Sequence, residues 1–231
     1  MKTFLFIAVS VAIFCGSLPM SPPPQASNST GLEAVLKKMD AAAASFHSTQ
    51  ADFEWDQYQK VVDETDVQKG VIYFRRAGQQ IEMMAHVKDP DQKFVLYKDG
   101  RLQVYQPKIE QLIVHDMGNS RGDLESYLVL GFGGSGQDLT KAFDVTYGGD
   151  ETIDGIATGK LQLVPRAEKV KNTFTQIILW IDMARGISIQ QKFITPQGDF
   201  RLAKYSNIRT DKLGNDIFQI KTTGKTQTIT H

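Results

Sequence analysis

The sequence predicts a mainly β protein: one long antiparallel sheet of about ten or eleven strands, with a leading helix and a short helical interruption. Three observations predict it. Apolar and polar residues alternate with a period of two in run after run between Ala51 and Ile220. Short turns such as Asp99-Gly100 and Asp154-Gly155 separate the runs, as between antiparallel neighbours. Strands do not alternate with helices, which removes a parallel doubly wound sheet. A twisted sheet of that size curls, and the few helices are the only material available to cover its concave face.

The elements follow in order. Residues 19–29 are rich in Pro, Ser and Asn and read as a flexible lead-in. Thr30-Gly31-Leu32-Glu33 has the form of a capping box, and Leu32, Val35, Leu36, Met39, Ala43 and Phe46 follow at helical spacing. This predicts an amphipathic helix from about 31 to 45. Ala51, Phe53 and Trp55 then alternate with acidic residues. Val71–Phe74 ends in Arg75-Arg76, and Ala77-Gly78 makes the turn into Ile81–Met84. Asp99-Gly100 between Phe94–Tyr97 and Leu102–Tyr105 supplies the positive φ angles of a tight hairpin. Ile109–His115 is the next strand. Residues 123–130 carry a short helical face, and residues 135–142 another turn or two of helix. Strands resume at Phe143–Tyr147, Ile156–Val164, Phe174–Asp182, Ile187–Ile194, Phe200–Ile208 and Ile217–Ile220.

The first residues have the order of a secretory signal peptide: Lys2, an apolar run from Phe4 to Phe14, then Gly16-Ser17. The run is too short to span a hydrocarbon core of roughly 20 helical residues. Cleavage after Ser17 or after Ala26 both remove Cys15, the one cysteine of the chain. Phe14 and Ile13 precede that cysteine where acylation needs a small residue, so no lipid anchor is expected. The protein is expected to be exported, with the signal peptide removed.

Composition narrows function. Lys+Arg and Asp+Glu both number 26, giving no net charge, so a nucleic-acid binder or a polybasic membrane-surface protein is excluded as a class. One Cys rules out a disulfide framework and a cysteine zinc site. Gly131-Phe132-Gly133-Gly134-Ser135-Gly136 matches a dinucleotide or phosphate loop only superficially: a helix rather than a strand precedes it, and Gln137-Asp138 stands where Lys-Ser/Thr is needed. It reads as a linker with hinge character. The four histidines form no HxxxH pair, and the acidic runs 63–66 and 89–91 lack EF-hand spacing. No metal, no cofactor and no enzyme chemistry is expected.

A physical signal remains. Several strands, such as Val71–Phe74 and Ile177–Ile181, are apolar on both faces. Either the sheet is packed on both sides, or one face lines a ligand cavity. The candidate lining residues are Leu36, Phe53, Trp55, Ile72, Phe74, Met83, Leu96, Val104, Leu128 and Trp180.

The order of motifs resembles the periplasmic outer-membrane lipoprotein carrier proteins, the LolA family, from about Leu32 to Lys221. The resemblance rests on several segments: Phe46–Phe53 after an amphipathic helix, Gly70–Arg76, Asp99-Gly100-Arg101-Leu102 with Tyr105-Gln106-Pro107 and Glu110-Gln111, Leu179–Asp182, and Phe200–Asn207. It implies a half-open antiparallel β-barrel with a helical lid over an apolar cavity. It also implies a single carrier-like domain over residues 27–231, with residues 1–26 as signal peptide and lead-in. The family takes acylated lipoproteins from an inner-membrane ABC transporter and carries them to an outer-membrane lipoprotein receptor, so those three are the implied partners of a monomer. In the family an arginine at the end of the second strand bonds lid carbonyls in the closed state. Arg76 matches it best and Arg75 competes, because Ala77 stands where the family has Pro. Two other functions remain open: a periplasmic lipid- or lipoprotein-binding or sensing module that does not shuttle, and a secreted hydrolase.

Overall fold

A single sheet carries twelve strands among the described residues. The structure is a computed structural model describing residues 24–78, 80–118, 130, 132–210 and 212–231. The strands are β1 (Ser48–Gln59), β2 (Glu64–Ala77), β3 (Gln80–Asp89), β4 (Lys93–Lys98), β5 (Arg101–Gln106), β6 (Gln111–Asp116), β7 (Phe143–Ile153), β8 (Ile156–Pro165), β9 (Gln176–Asp182), β10 (Ser188–Ile194), β11 (Phe200–Arg209) and β12 (Gln227–Thr230). The helices are α1 (Pro24–Ala44), α2 (Gly136–Ala142) and α3 (Glu168–Lys171).

The spatial order is β12-β6-β5-β4-β3-β2-β1-β11-β10-β9-β8-β7, and the terminal strands do not meet, so the sheet is open. Every pairing is antiparallel except β12 with β6. The predicted hairpin turn is present, with Asp99 at φ 52° and Gly100 at φ 72°; Asp154-Gly155 repeats it at 49° and 79°. Both pairs adopt the left-handed conformations whose twist matches the flanking strands.

Strand alternation gives the sheet two faces. On the inner face α1 lays its stripe across β7–β10: Val35 and Met39 are buried among Leu161, Leu163, Ile177, Leu179, Ile181 and Phe193. Gly159 of β8 lets the helix approach this closely, because a Cβ there would run into Val35. The other half of the inner face, β1 to β5, holds a second cluster around Phe53, Phe74, Met83, Tyr97 and Phe132. The outer face has its own cluster, in which Leu213 and Phe218 of the C-terminal segment cover Met84 and Leu96.

Two expectations are corrected, and one strand is added. Helix α1 is already under way at Pro24, where the described residues begin, so residues 24–29 are helical and Thr30–Glu33 lies inside the helix instead of at its start. Residues 217–220 form no strand; a 3₁₀ turn spans Asn215–Phe218, and its apolar residues anchor a strap on the outer face. Strand β12 is polar and exposed, and pairing with β6 defines it where hydrophobic pattern does not. Of the predicted midway helical stretch, residues 123–129 lie outside the described residues. α2 falls within the second predicted stretch, with the Ser135 hydroxyl accepting from the Asp138 N–H at 3.0 Å as its N-cap.

Candidate functional site: the inner face and its cover

The register decides which predicted residues meet. Phe53 and Trp55 on β1, Ile72 and Phe74 on β2 and Met83 on β3 project from one face and belong to one cluster. Val104 of β5 is half-buried opposite Val95, which packs on the same cluster. Leu36 sits on α1 and packs against the neighbouring cluster under that helix. Leu128 lies outside the described residues.

Leu96 and Trp180 do not join this group. Leu96 is one residue from Val95 and Tyr97, so it points outward and packs under the C-terminal strap. Trp180 alternates with Leu179 and Ile181 and also points outward; its indole N–H donates to Glu151 Oε2 at 2.5 Å, and Lys160 Nζ lies 5.4 Å from its ring. Both residues are buried because the outer face is covered too. Burial on both faces makes a strand apolar throughout and conceals its inside from a reader of sequence.

The glycine-rich loop covers the inner face. Phe132 is 1% exposed, stacked on Phe74 at 5.3 Å and edge-on to Tyr205 at 4.9 Å. Two side chains from the sheet hold the backbone of this segment. Arg76 Nη2 donates to the Gly133 carbonyl at 2.9 Å, and the buried Gln191 amide donates to the Leu130 carbonyl. Gly133 has φ +81°, and a Cβ there would collide with the Phe46 ring. The loop therefore needs glycine both for its conformation and for its close approach.

The adjacent arginine faces the other way. Arg75 pairs with Glu82, donates from Nη1 to Asn215 Oδ1 at 2.6 Å and lies 4.3 Å from the Phe218 ring centre. It ties the C-terminal strap to the outer face. Of the two candidates for contact with the cover, Arg76 is the one whose guanidinium reaches it.

Arg201, which the sequence reading passed over, lies at the far end of the inner face. It is opposite Gln57 and Phe193, and its guanidinium carbon is 5.4 Å from the Trp55 ring and 5.0 Å from the Phe193 ring. Nearby Tyr205 has its hydroxyl pushed up to about 12, burial being the main cause and the Arg201 charge opposing it. That hydroxyl donates to Gln191 Oε1 at 3.3 Å. The signal for Arg201 was available: it shares the period-two register of Ala203 and Tyr205. For Phe132 only its place between glycines marked it.

The arrangement holds no cluster of three or more metal-ligating side chains among the described residues. What it provides is an apolar wall, a cover held by polar contacts to the backbone, and cations on the wall at its two ends.

The architecture, one open antiparallel sheet with a helix and a loop over its inner face, agrees with the half-open barrel expected from the sequence. No family model matches the sequence, and no curated protein matches it. Solved structures do. MucB aligns at 15% identity and a TM-score of 0.51 over 86% of this chain and 64% of that chain. The chain thus spans just under two thirds of MucB's length. An uncharacterized conserved protein from Thermus thermophilus aligns at 11% identity and a TM-score of 0.55, over 86% of this chain and 98% of that chain. A LolA superfamily protein from Nitrosomonas europaea aligns at 15% identity and a TM-score of 0.40, over 82% of this chain and 97% of that chain. At these identities the likeness concerns fold alone.

Proposed function

We propose that the protein is a periplasmic carrier that takes the acyl chains of lipoproteins onto its inner face, under the glycine-rich cover, and shuttles them from the inner to the outer membrane. The observation that carries this reading is the cover itself. Phe132 fills the apolar wall, yet the segment that carries it is held there through individual hydrogen bonds, from Arg76 to the Gly133 carbonyl and from Gln191 to the Leu130 carbonyl. Such a plug can be exchanged for another apolar group of similar shape. Each methylene moved out of water contributes about 0.8 kcal/mol, so an acyl chain can replace Phe132 against Phe74 at little net cost. Loading would be driven by a partner transporter, and delivery would end at an outer-membrane receptor.

The two tryptophans make the test local. Trp55 is on the inner wall and Trp180 on the outer face. Addition of an acylated peptide should change the fluorescence of Trp180→Phe, which keeps Trp55, and leave that of Trp55→Phe unchanged. No response from either variant, with no heat of binding, would remove the lipid site. Native mass spectrometry of protein from the periplasm should show acylated protein bound. Binding without transfer of labelled lipoprotein to acceptor membranes would favour a lipoprotein-binding module over a shuttle.

A further inference from the structure

Strand β11 carries, near its start and on the inner face, a cation without an ion-pair partner among the described residues. Arg201 makes no ion pair among the described residues; its contacts are the faces of Trp55 and Phe193. Lys204, three residues on and facing outward, contacts both Glu54 and Asp56 at 2.9 Å. Arg201 is exposed, so its guanidinium is open to an arriving group, and the two ring faces compensate its charge only in part.

A second donor lies beside it. The Trp55 indole N–H is buried and has no hydrogen-bond partner among the described residues; it lies near the Tyr205 hydroxyl. Two donors, one of them charged, therefore meet at one end of an apolar wall. The missing complement is an oxygen anion, and the planar guanidinium fork matches carboxylate and phosphate oxygens. The wall continues from this point: Trp55 stacks on Phe53 at 4.0 Å, and Phe53 leads along β1 toward the cover. Arg201 is opposite Gln57, and Arg76 N–H bonds the His47 carbonyl, so the two cations are roughly 33 Å apart along β1.

We propose that Arg201 receives the anionic head, carboxylate or phosphate, of an amphiphile whose acyl chain lies along Trp55 and Phe53. The proposal rests on the acyl-binding reading above and adds the chemistry of the head group. It assigns the protein a preference for acidic over neutral single-chain lipids.

The test uses the Trp180→Phe protein, so that Trp55 alone reports, titrated at pH 8 with tetradecanoate, tetradecyl phosphate and tetradecanol below their aggregation limits. Inorganic phosphate and acetate serve as head groups without chains. The acid and the phosphate should bind about tenfold more tightly than the alcohol, the worth of a charge-assisted hydrogen bond. Arg201→Met should bring both to the affinity of the alcohol and leave the alcohol within about twofold of its original value. Arg201→Lys should keep part of the preference. The larger of the two acidic preferences identifies carboxylate or phosphate as the natural head. Equal binding of acid and alcohol by the parent protein would overturn the Arg201 assignment alone, as would an unchanged preference in Arg201→Met. Inorganic phosphate binding as tightly as tetradecyl phosphate would overturn the amphiphile and leave a plain anion site. Failure of all three chain ligands would overturn the assignment together with the acyl-binding reading.

Discussion

Neighbouring arginines on β2 show how differently the two faces of this sheet treat charge. Arg75, pointing out, meets the carboxylate of Glu82, the amide of Asn215 and the ring of Phe218. Arg76, pointing in, meets a single backbone carbonyl and lies 5.9 Å from the Phe46 ring. The contrast extends along the sheet. On the outer face Lys69 contacts Glu54 at 2.8 Å, and Lys160 contacts Glu151 at 2.7 Å. On the inner face Arg76 and Arg201 have no carboxylate partner among the described residues. A cation paired with a fixed carboxylate holds structure. A cation whose partner is a carbonyl or a ring keeps donors that no carboxylate occupies.

The largest effect expected from breaking this contrast is at Glu82. Its side chain is 7% exposed and that of Arg75 17%, with Lys98 a further 3.7 Å contact. Glu82→Ala leaves two cations facing each other at a half-closed site. It should lower the unfolding free energy in urea by about 3–5 kcal/mol, the range for breaking a buried pair from one side. The double variant Glu82→Leu with Arg75→Leu should recover most of that loss, because apolar replacement of both partners is often neutral. A loss below about 1 kcal/mol in Glu82→Ala would show that the outer pair does not hold the strap.

This contrast was only half legible in the sequence. Period-two alternation and Asp-Gly turns predict strands well, because local backbone chemistry decides both. They say little about which face is inside, since that depends on what lies over each face. Leu96 and Trp180 illustrate the failure: the cover over Leu96 is more than a hundred residues away in sequence, and Trp180 is covered by Glu151 and Lys160. Phe53, Ile72, Phe74 and Met83 could be grouped because none of them depends on the strap. The residues of the cover were hidden for another reason. Glycine-rich segments look like linkers, and only tertiary contact shows that Phe132 packs and that Gly133 must be bare.

An intermediate effect is expected at the cover. Arg76→Leu removes one hydrogen bond at an exposed site, so global stability should fall by about 1 kcal/mol or less. Local opening should change more. Hydrogen exchange across residues 130–136 should accelerate while that of β8 and β9 stays fixed, because the bond joins the cover to the end of β2 and to no other strand. In transfer assays Arg76→Leu should hold labelled lipoprotein and release it poorly to acceptor membranes, since the cover no longer closes to displace the chains. Arg76→Lys should be intermediate, a point charge being a poorer match to a fixed carbonyl than a guanidinium. Normal exchange and normal transfer in Arg76→Leu would deny the cover any dependence on this contact. A transfer defect in Arg75→Leu alone would move the function to the outer face.

The smallest effect is a pH dependence confined to the outer face. Hydrogen bonds from Lys69 and Lys204 hold the Glu54 carboxyl at about 2, against an ordinary value of 4.5. A carboxyl whose folded pKa lies below its unfolded pKa stabilises the fold fully above the unfolded value. That contribution is lost as pH falls through the folded value. The loss therefore falls between pH 4.5 and pH 2. Solvent reaches the group, with 34% of the Glu54 side chain and 55% of the Lys69 side chain exposed, so screening leaves only a small effect. Glu54→Gln should lower the melting temperature by roughly 1–2 °C at pH 6–7 and less in high salt. The difference from the parent protein should narrow steadily below pH 4.5 and vanish near pH 2. A difference that stays constant down to pH 2.5 would mean that Glu54 acts through packing and not through its charge. The outer face would then owe less to paired charge than the contrast with Arg76 and Arg201 requires.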